Sequence, residues 1–373
     1  MSRPPRLLAL LTDGYGAQGG IARYNQDLFD ALADAGAECF IAPRHGDASG
    51  VVLPRGVTQE APAFGRLRYV ARCLLAARRH RPFDAVFCGH VYMVPLAWML
   101  ARLLGARLWL QAHGAEVLEV PGALSRRAVE AADLVTVVSR ATRHTLLSWA
   151  SLAPERVRVL PDTVRDMFEP GPPSEALRSR LGFGPGPVLL TVGRLSSAER
   201  YKGHEQVFAA LPALRARFPT LVHVVAGDGD DRARLEARAA ELAGESAAVR
   251  FVGYIPEADL PDLYRSADLY VMPSTKEGFG IVYLEAAACG LRVVGGVGGG
   301  SGDAVPGEQI GVLVDSGDGK ALEQAIVRLL AMGRADPEAV APYRRDRFAT
   351  AAKRLLSRLM AHPRRMKGQH EFS

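Results

Sequence analysis

Short apolar and β-branched runs alternate along most of the chain with longer stretches whose apolar positions recur every three to four residues. In the first half, the runs at 7–11, 38–42, 85–88, 107–111, 134–138 and 156–160 predict strands. Amphipathic stretches near 21–35, 65–80, 93–104 and 140–150 predict the helices between them. A second series follows, with strands expected at 188–192, 221–226, 249–252, 268–272, 292–294 and 311–314. Strands that are apolar throughout and separated by helices belong to parallel sheets covered on both faces. Between the two series, residues 166–187 carry Pro170, Pro172, Pro173, Pro185 and Pro187 among glycines and read as a linker. The pattern therefore predicts an α/β protein with doubly wound sheets in residues 1–165 and 188–340, followed by a basic helical tail over 341–373. Ligands of such sheets sit at the carboxyl ends of strands, so two facing units would hold a site in their cleft.

The stretch from Pro273 to Gly290 carries the most chemistry. It leaves an apolar strand, turns through Gly278 and Gly280, and enters a helix apolar on nearly every side until Gly290 stops it. Glu285 falls in that helix among Leu284, Ala286, Ala287 and Ala288, where an ionised carboxylate is costly unless it is hydrogen-bonded. Glu277 lies on the loop before it, and the N–H groups from Phe279 through Gly280 and Ile281 to Val282 form a partly positive helix end. Two carboxylates for hydroxyls and a helix end for phosphate point to a nucleotide-sugar site. A cap glutamate with a core glutamate paired to a buried arginine fits the same pattern.

Composition narrows the class. A chain of 373 residues with 48% hydrophobic and 23% charged content is an ordinary soluble protein of two domains. The scattered Cys39, Cys73, Cys88 and Cys289 have no metal-ligand spacing and read as reduced thiols, which suits a cytoplasmic protein. The apolar run at 7–11 is too short for a signal peptide, and the longest run, 91–100, is about half a membrane span. The formal net charge of +6 lies entirely in residues 1–165, which hold 20 arginines and no lysine. Without interleaved aromatic platforms nucleic acid is a poor partner, and an anionic membrane surface is the better one. Residues 65–81 show how, with Arg66, Arg68, Arg72, Arg78, Arg79 and Arg81 around Leu67, Tyr69, Val70, Leu74 and Leu75, a basic amphipathic helix. An ordinary surface helix fits as well.

Four other stretches fall where a site would be. Gly14 to Tyr24 includes Gly19 and Gly20 at the opening of a helix, where backbone N–H groups approach a phosphate or sugar, or merely make a tight turn. His113, ending the strand at 107–111, is the one histidine of nine assigned to chemistry, as a donor to a sugar hydroxyl or a neighbour of developing positive charge, although a structural histidine satisfied by backbone fits the same position. Arg194 and Lys202, on the loop after the first strand of the second series, suit a diphosphate leaving group, and a solvated loop fits the same residues. Asp228-Gly229-Asp230 formally matches a metal-binding DxD, but a turn and a helix cap explain the acids. With the cations and a helix end available, no metal is expected. The glycine-rich stretch from Gly295 to Val305 is open between an anion nest and a mobile loop.

Taken in order, Gly19-Gly20-Ile21-Ala22-Arg23-Tyr24-Asn25, His113-Gly114, Val138-Ser139, Gly193-Arg194, Lys202-Gly203-His204, Gly227-Asp228-Gly229 and the Glu277–Glu285 pair resemble the retaining glycosyltransferases of family 4, which have the GT-B fold. The resemblance implies two Rossmann-like domains facing across a cleft, a nucleotide-diphosphate sugar on the second, and an acceptor on the first. It implies that Glu285 binds ribose, Glu277 the transferred sugar, Arg194 and Lys202 the diphosphate, and the backbone of Phe279, Gly280 and Ile281 phosphate and sugar. Gly20 would lie near the diphosphate and His113 near the sugar, while the tail helix would cross back to the first domain. No cofactor is implied. The longer form of the Gly193–His204 stretch is similar to bacterial enzymes that extend exopolysaccharide, capsule or lipopolysaccharide chains on lipid carriers. The expected acceptor is therefore lipid-linked or an oligosaccharide, reached from the cytoplasmic face of the membrane. Asp162 and Asp303 depart from the common Asn and Glu of the family and bear on the sugar rather than the fold.

Overall fold

The computed structural model describes residues 3–244 and 248–361. It consists of two compact units, one running to Thr163 and including the helix Arg345–Ala361, the other spanning Val164–Arg344. The first is built on seven parallel strands, β1 (Arg6–Asp13), β2 (Glu38–His45), β3 (Val57–Gln59), β4 (Ala85–Cys88), β5 (Arg107–Ala112), β6 (Leu134–Val137) and β7 (Val157–Val159). Their order is β3-β2-β1-β4-β5-β6-β7. Leu7 to Leu11 of β1 are wholly buried, as a strand covered on both faces requires. One face packs Val86, Leu108, Leu110, Val135 and Val137 against helices Arg66–Arg79, Val94–Leu104 and Ala123–Glu130.

The second unit holds six parallel strands, β8 (Val188–Val192), β9 (Val222–Ala226), β10 (Val249–Gly253), β11 (Leu269–Met272), β12 (Arg292–Gly296) and β13 (Gly311–Val314), in the order β10-β9-β8-β11-β12-β13. In both sheets the order reverses beside the first strand, which places β1 next to β4 and β8 next to β11. These reversals mark where open α/β sheets take their ligands.

Three features differ from the sequence pattern. β3 is a three-residue edge strand with one apolar side chain, and helix Ala123–Glu130 buries only Ala128 and Val129, so neither shows a period. The stretch 166–187 is not a linker. It belongs to the second unit and contains the helix Glu175–Arg180, whose Leu177 is buried. Arg178 donates to Ser266 O at 2.6 Å, Ser174 N donates to Ser266 Oγ at 3.1 Å, and the buried Phe168 ring meets Tyr264 edge-on at 5.9 Å. Prolines there exclude sheet pairing but not packing.

The helix Arg345–Ala361 buries Phe348, Ala352, Leu356 and Leu359 along one face. It lies against helix Gly20–Asp34, with Phe348 edge-on to Tyr24 at 5.7 Å and Arg345 paired to Asp30 at 2.7 Å. Burial of each large apolar side chain contributes about 1.5–3 kcal/mol, enough to hold the helix on this unit. The rest of the basic tail, including Arg364, Arg365 and Lys367, lies outside the described residues. Among the described residues, no helix is long and apolar enough to cross a membrane, and the four cysteines are buried free thiols.

Candidate functional site

At the carboxyl end of β11 the chain turns through Pro273–Phe279 into the helix Ile281–Ala288. Gly280 takes φ 94°, in the left-handed region, and a Cβ there would stand 2.5 Å from the Tyr283 ring. No side chain caps this helix start. Glu277, just before it, has a carboxylate oxygen, Oε1, that is buried without a hydrogen-bond partner. Burial raises the Glu277 pKa, and the nearby Lys202 charge and Ser274 hydroxyl oppose that rise. Glu285 is only 3% exposed and accepts a hydrogen bond from Tyr264 Oη at 2.9 Å.

The run Gly295–Gly302, open on sequence grounds, is a packed element. A Cβ on Gly298 would stand 1.9 Å from Thr275 O, and Gly300 N donates to Glu277 O at 2.7 Å. These glycines let one loop lie against the next and fix the backbone that carries Glu277.

On the neighbouring strand, β8 ends in the loop that carries Arg194 and Lys202. Both cations engage Glu199. Arg194 Nη2 pairs with Glu199 Oε1, and Lys202 Nζ lies 2.7 Å from Glu199 Oε2 and 3.4 Å from Arg194 O. Lys202 and Glu199 are each 13% exposed, whereas Arg194 is 72% exposed. Burial pushes the Glu199 pKa up, but the Lys202 and Arg194 charges outweigh it and hold the carboxyl below its ordinary range. Sequence reasoning missed Glu199. Its position three residues before Lys202 was the available signal. The Asp228-Gly229-Asp230 acids organise the loop: Asp230 accepts from Ser197 N at 3.1 Å and from the Ser197 hydroxyl, and Asp228 accepts from Gly229 N at 2.9 Å. Asp231, which precedes helix Arg232–Leu242 without a side-chain cap bond to it, pairs with Arg200 at 3.0 Å and Arg234 at 2.6 Å.

Behind this loop His204 is 5% exposed with both ring nitrogens unpartnered, and burial, then Lys202, pushes its pKa down to about 4. His223 is pushed down to about 3 by burial and shares its Nε2 with Thr191 Oγ1 at 2.8 Å.

In the first unit, helix Gly20–Asp34 also starts without a side-chain cap. Gly19 has φ 105°, but a Cβ on Gly20 would meet nothing within 4 Å. One turn on, Tyr24 Oη donates to Gln111 Oε1 at 2.9 Å, and its ring meets His113 edge-on at 5.1 Å. His113 N donates to Glu116 Oε1 at 2.6 Å, while its Nε2 is buried without a partner. Burial lowers the His113 pKa against the opposing Glu116 charge, so the ring is neutral near pH 7. His90, following β4, shifts the same way from burial, opposed by Glu116 and Asp13. It was passed over in the sequence, although its place after a strand matches that of His113.

The described geometry brings Arg194, Lys202, Glu277, Phe279, Gly280, Ile281 and Glu285 to adjacent strands of the second sheet, and Gly19, Gly20 and His113 to the carboxyl edge of the first.

Two family models match the chain, Glycosyltransferase Family 4 over residues 18–166 and Glycosyl transferases group 1 over residues 174–354. A GDP-mannose-dependent alpha-(1-6)-phosphatidylinositol monomannoside mannosyltransferase of Mycolicibacterium smegmatis is 36% identical over 261 residues, covering 66% of this chain and 67% of the relative. A D-inositol 3-phosphate glycosyltransferase of Acidothermus cellulolyticus is 35% identical over 56% of this chain and 49% of that one. Among solved structures, Anabaena HepE in complex with UDP-glucose superposes with TM-score 0.77 at 21% identity, covering 95% of this chain and 99% of that one. The lipopolysaccharide outer core galactosyltransferase WaaB in its apo form gives 0.73 at 16% identity, with 95% and 99% covered. The structural likenesses establish the fold.

Proposed function

The chain belongs to the family 4 glycosyltransferases, and on that premise we propose that it moves a hexose from a nucleotide-diphosphate sugar to a lipid-linked or oligosaccharide acceptor with retention of anomeric configuration. The observation that carries this reading is the meeting, on neighbouring strands β8 and β11, of a two-cation loop with an uncapped helix start and the unpartnered Glu277 Oε1. Arg194 and Lys202 take the diphosphate, and the helix start at Gly280–Ile281 adds N–H groups to it. Glu277 accepts from the transferred sugar, and Glu285, already held by Tyr264, accepts from ribose. In the first unit, Gly19 and Gly20 leave open space at an uncapped helix start that suits an anion, and neutral His113, with its buried and unpartnered Nε2, suits a sugar hydroxyl. Charge compensation by these groups makes the transfer independent of divalent metal.

The relatives' names make GDP-mannose the first donor to test, with UDP-glucose beside it, and a glycolipid the first acceptor. A glycolipid acceptor fits the first unit's surface. Helix Arg66–Arg79 turns Tyr69, Cys73, Ala76 and Ala77 to the core, while Leu67, Leu74 and Leu75 are exposed among its arginines. Tyr69, one of the apolar residues expected among the arginines, is a core residue that donates to Ala42 O at 3.1 Å. The exposed leucines and arginines suit peripheral contact with an anionic membrane from the cytoplasmic side. The likeness to D-inositol 3-phosphate glycosyltransferases supports a second reading, a phosphorylated polyol acceptor.

The test is to incubate the purified protein with each labelled donor and with extracted lipids or inositol 3-phosphate, with and without EDTA. Anomeric coupling in the product is then read by NMR. An EDTA-resistant, donor-configured glycolipid is expected. Transfer to no acceptor, an inverted anomer, or activity restored only by Mg²⁺ would each overturn the corresponding part.

A further inference from the structure

Glu199 contacts both proposed diphosphate ligands, and its two oxygens are divided between them, Oε1 to Arg194 and Oε2 to Lys202 at 2.7 Å. A carboxylate in that position neutralises a largely buried lysine, which could not keep its charge cheaply alone. It also uses the donors that a phosphate group placed between Arg194 and Lys202 requires. The loop holds the carboxylate firmly there. Glu199 N donates to Ser196 O at 2.8 Å, Ser196 accepts from Ala198 N, and Asp230 ties Ser197 from the next loop. We propose that Glu199 is a positioning residue that acts as an internal counter-anion, competing with the diphosphate for Arg194 and Lys202 and setting how tightly nucleotide is held.

The proposal rests on the reading of Arg194 and Lys202 as diphosphate ligands. A diphosphate presents more oxygens and more charge than one carboxylate, so it displaces Glu199 from the cations. Glu199 remains on the same loop, ready to take them back. The carboxylate therefore subtracts from the affinity for any anion, and a simple anion without nucleoside contacts feels the subtraction most. Substrate and product share the diphosphate, so the same competition speeds release of the spent nucleotide. Neutralising Glu199 should lower KM for the donor and also lower kcat when release is slow, a split that simple damage to the loop does not produce.

The experiment is a calorimetric titration of inorganic pyrophosphate, at low salt and pH 7, into the wild type, Glu199→Gln, Glu199→Asp and Lys202→Ala. Thermal melts confirm folding of each variant. Glu199→Gln keeps the side chain's size and removes its charge, and it should bind pyrophosphate about tenfold more tightly than the wild type, the scale of one close charge pair. Glu199→Asp, which keeps the charge, should stay near the wild type. Equal or weaker pyrophosphate binding by folded Glu199→Gln, with Lys202→Ala weaker than wild type, would overturn the counter-anion role and leave the diphosphate seat standing. Unchanged affinity in Lys202→Ala would instead remove the seat on which the proposal rests. Should Glu199→Gln fail to fold, Glu199→Ala is read against the same two outcomes.

Discussion

The two units open a helix at the carboxyl edge of a parallel sheet in the same way, through glycine and without a side-chain cap, yet the two glycines are there for different reasons. At Gly280 the fold demands glycine, since φ is 94° and a Cβ would strike Tyr283. At Gly20 the backbone is already helical and a Cβ would meet no atom within 4 Å, so packing within the unit leaves the residue unexplained. The surroundings differ too. The second unit arms its edge with Arg194, Lys202 and Glu199, whereas the first sets the neutral His113 against Tyr24, one turn into its helix. A glycine required by the backbone says little about ligands. One that keeps open space beside an uncapped helix end is better evidence of what the edge must admit.

The largest expected effect sharpens the contrast in charge. Lys202→Ala or Arg194→Ala should cut kcat/KM by about two to three decades, since losing one electrostatic donor to a developing anion costs on the order of 3 kcal/mol. His113→Ala in the first unit should do less, because its neutral ring supplies no charge. Steady-state kinetics on folded variants decides between these orders.

Acid sensitivity is the next difference. His204 and His223 of the second unit are neutral when folded, with pKa values pushed down to about 4 and about 3, and return to the ordinary 6.5 when unfolded. The unfolded chain therefore binds more protons below pH 6.5, and stability falls as pH drops. Each histidine contributes a slope of about 1.4 kcal/mol per pH unit until its folded pKa is reached. His204→Leu should flatten the loss between pH 6 and pH 4. An unchanged slope in chemical denaturation would show that the burial of His204 does not set it.

The glycine pair breaks the comparison most directly. Gly280→Ala should lower stability by more than about 1 kcal/mol, while Gly20→Ala should leave it unchanged or raised by a few tenths and still reduce activity. Full activity in Gly20→Ala would mean that the open space is not used.

Surface charge on the first unit gives the smallest single effects. Arg72 and Arg79 lie within 3.5 Å and 3.7 Å of Glu60, so their charge is partly spent within the protein. Arg78→Ser, at an exposed position, should weaken binding to anionic vesicles by about 1 kcal/mol, and Arg72→Ser by less. Sedimentation with anionic and neutral vesicles at low and high salt reads this. Equal recovery with both kinds would remove the membrane contact.

These contrasts also show what was legible beforehand. Strands such as β1 and β11 were readable because burial on both faces leaves them apolar without interruption, and the helix Ile281–Ala288 was readable for the same reason. Pairing across the fold was not. Nothing local announces that Arg178 reaches Ser266, 88 residues away, and so the stretch 166–187 looked like a linker. Glu199 and His90 were missed because their meaning lies in which charges they face, and periodicity carries no such information. The Gly295–Gly302 run could not be resolved until Thr275 O was seen beneath Gly298.

The central claim, that the second unit's edge seats a nucleotide diphosphate, is tested most directly by calorimetric titration of GDP and UDP into the wild type and the Arg194→Ala/Lys202→Ala double variant. The account predicts saturable binding of one nucleotide by the wild type and a loss of at least about a hundredfold in the double variant, measured below its melting temperature so that it is folded. Equal nucleotide affinity with and without the two side chains would contradict it.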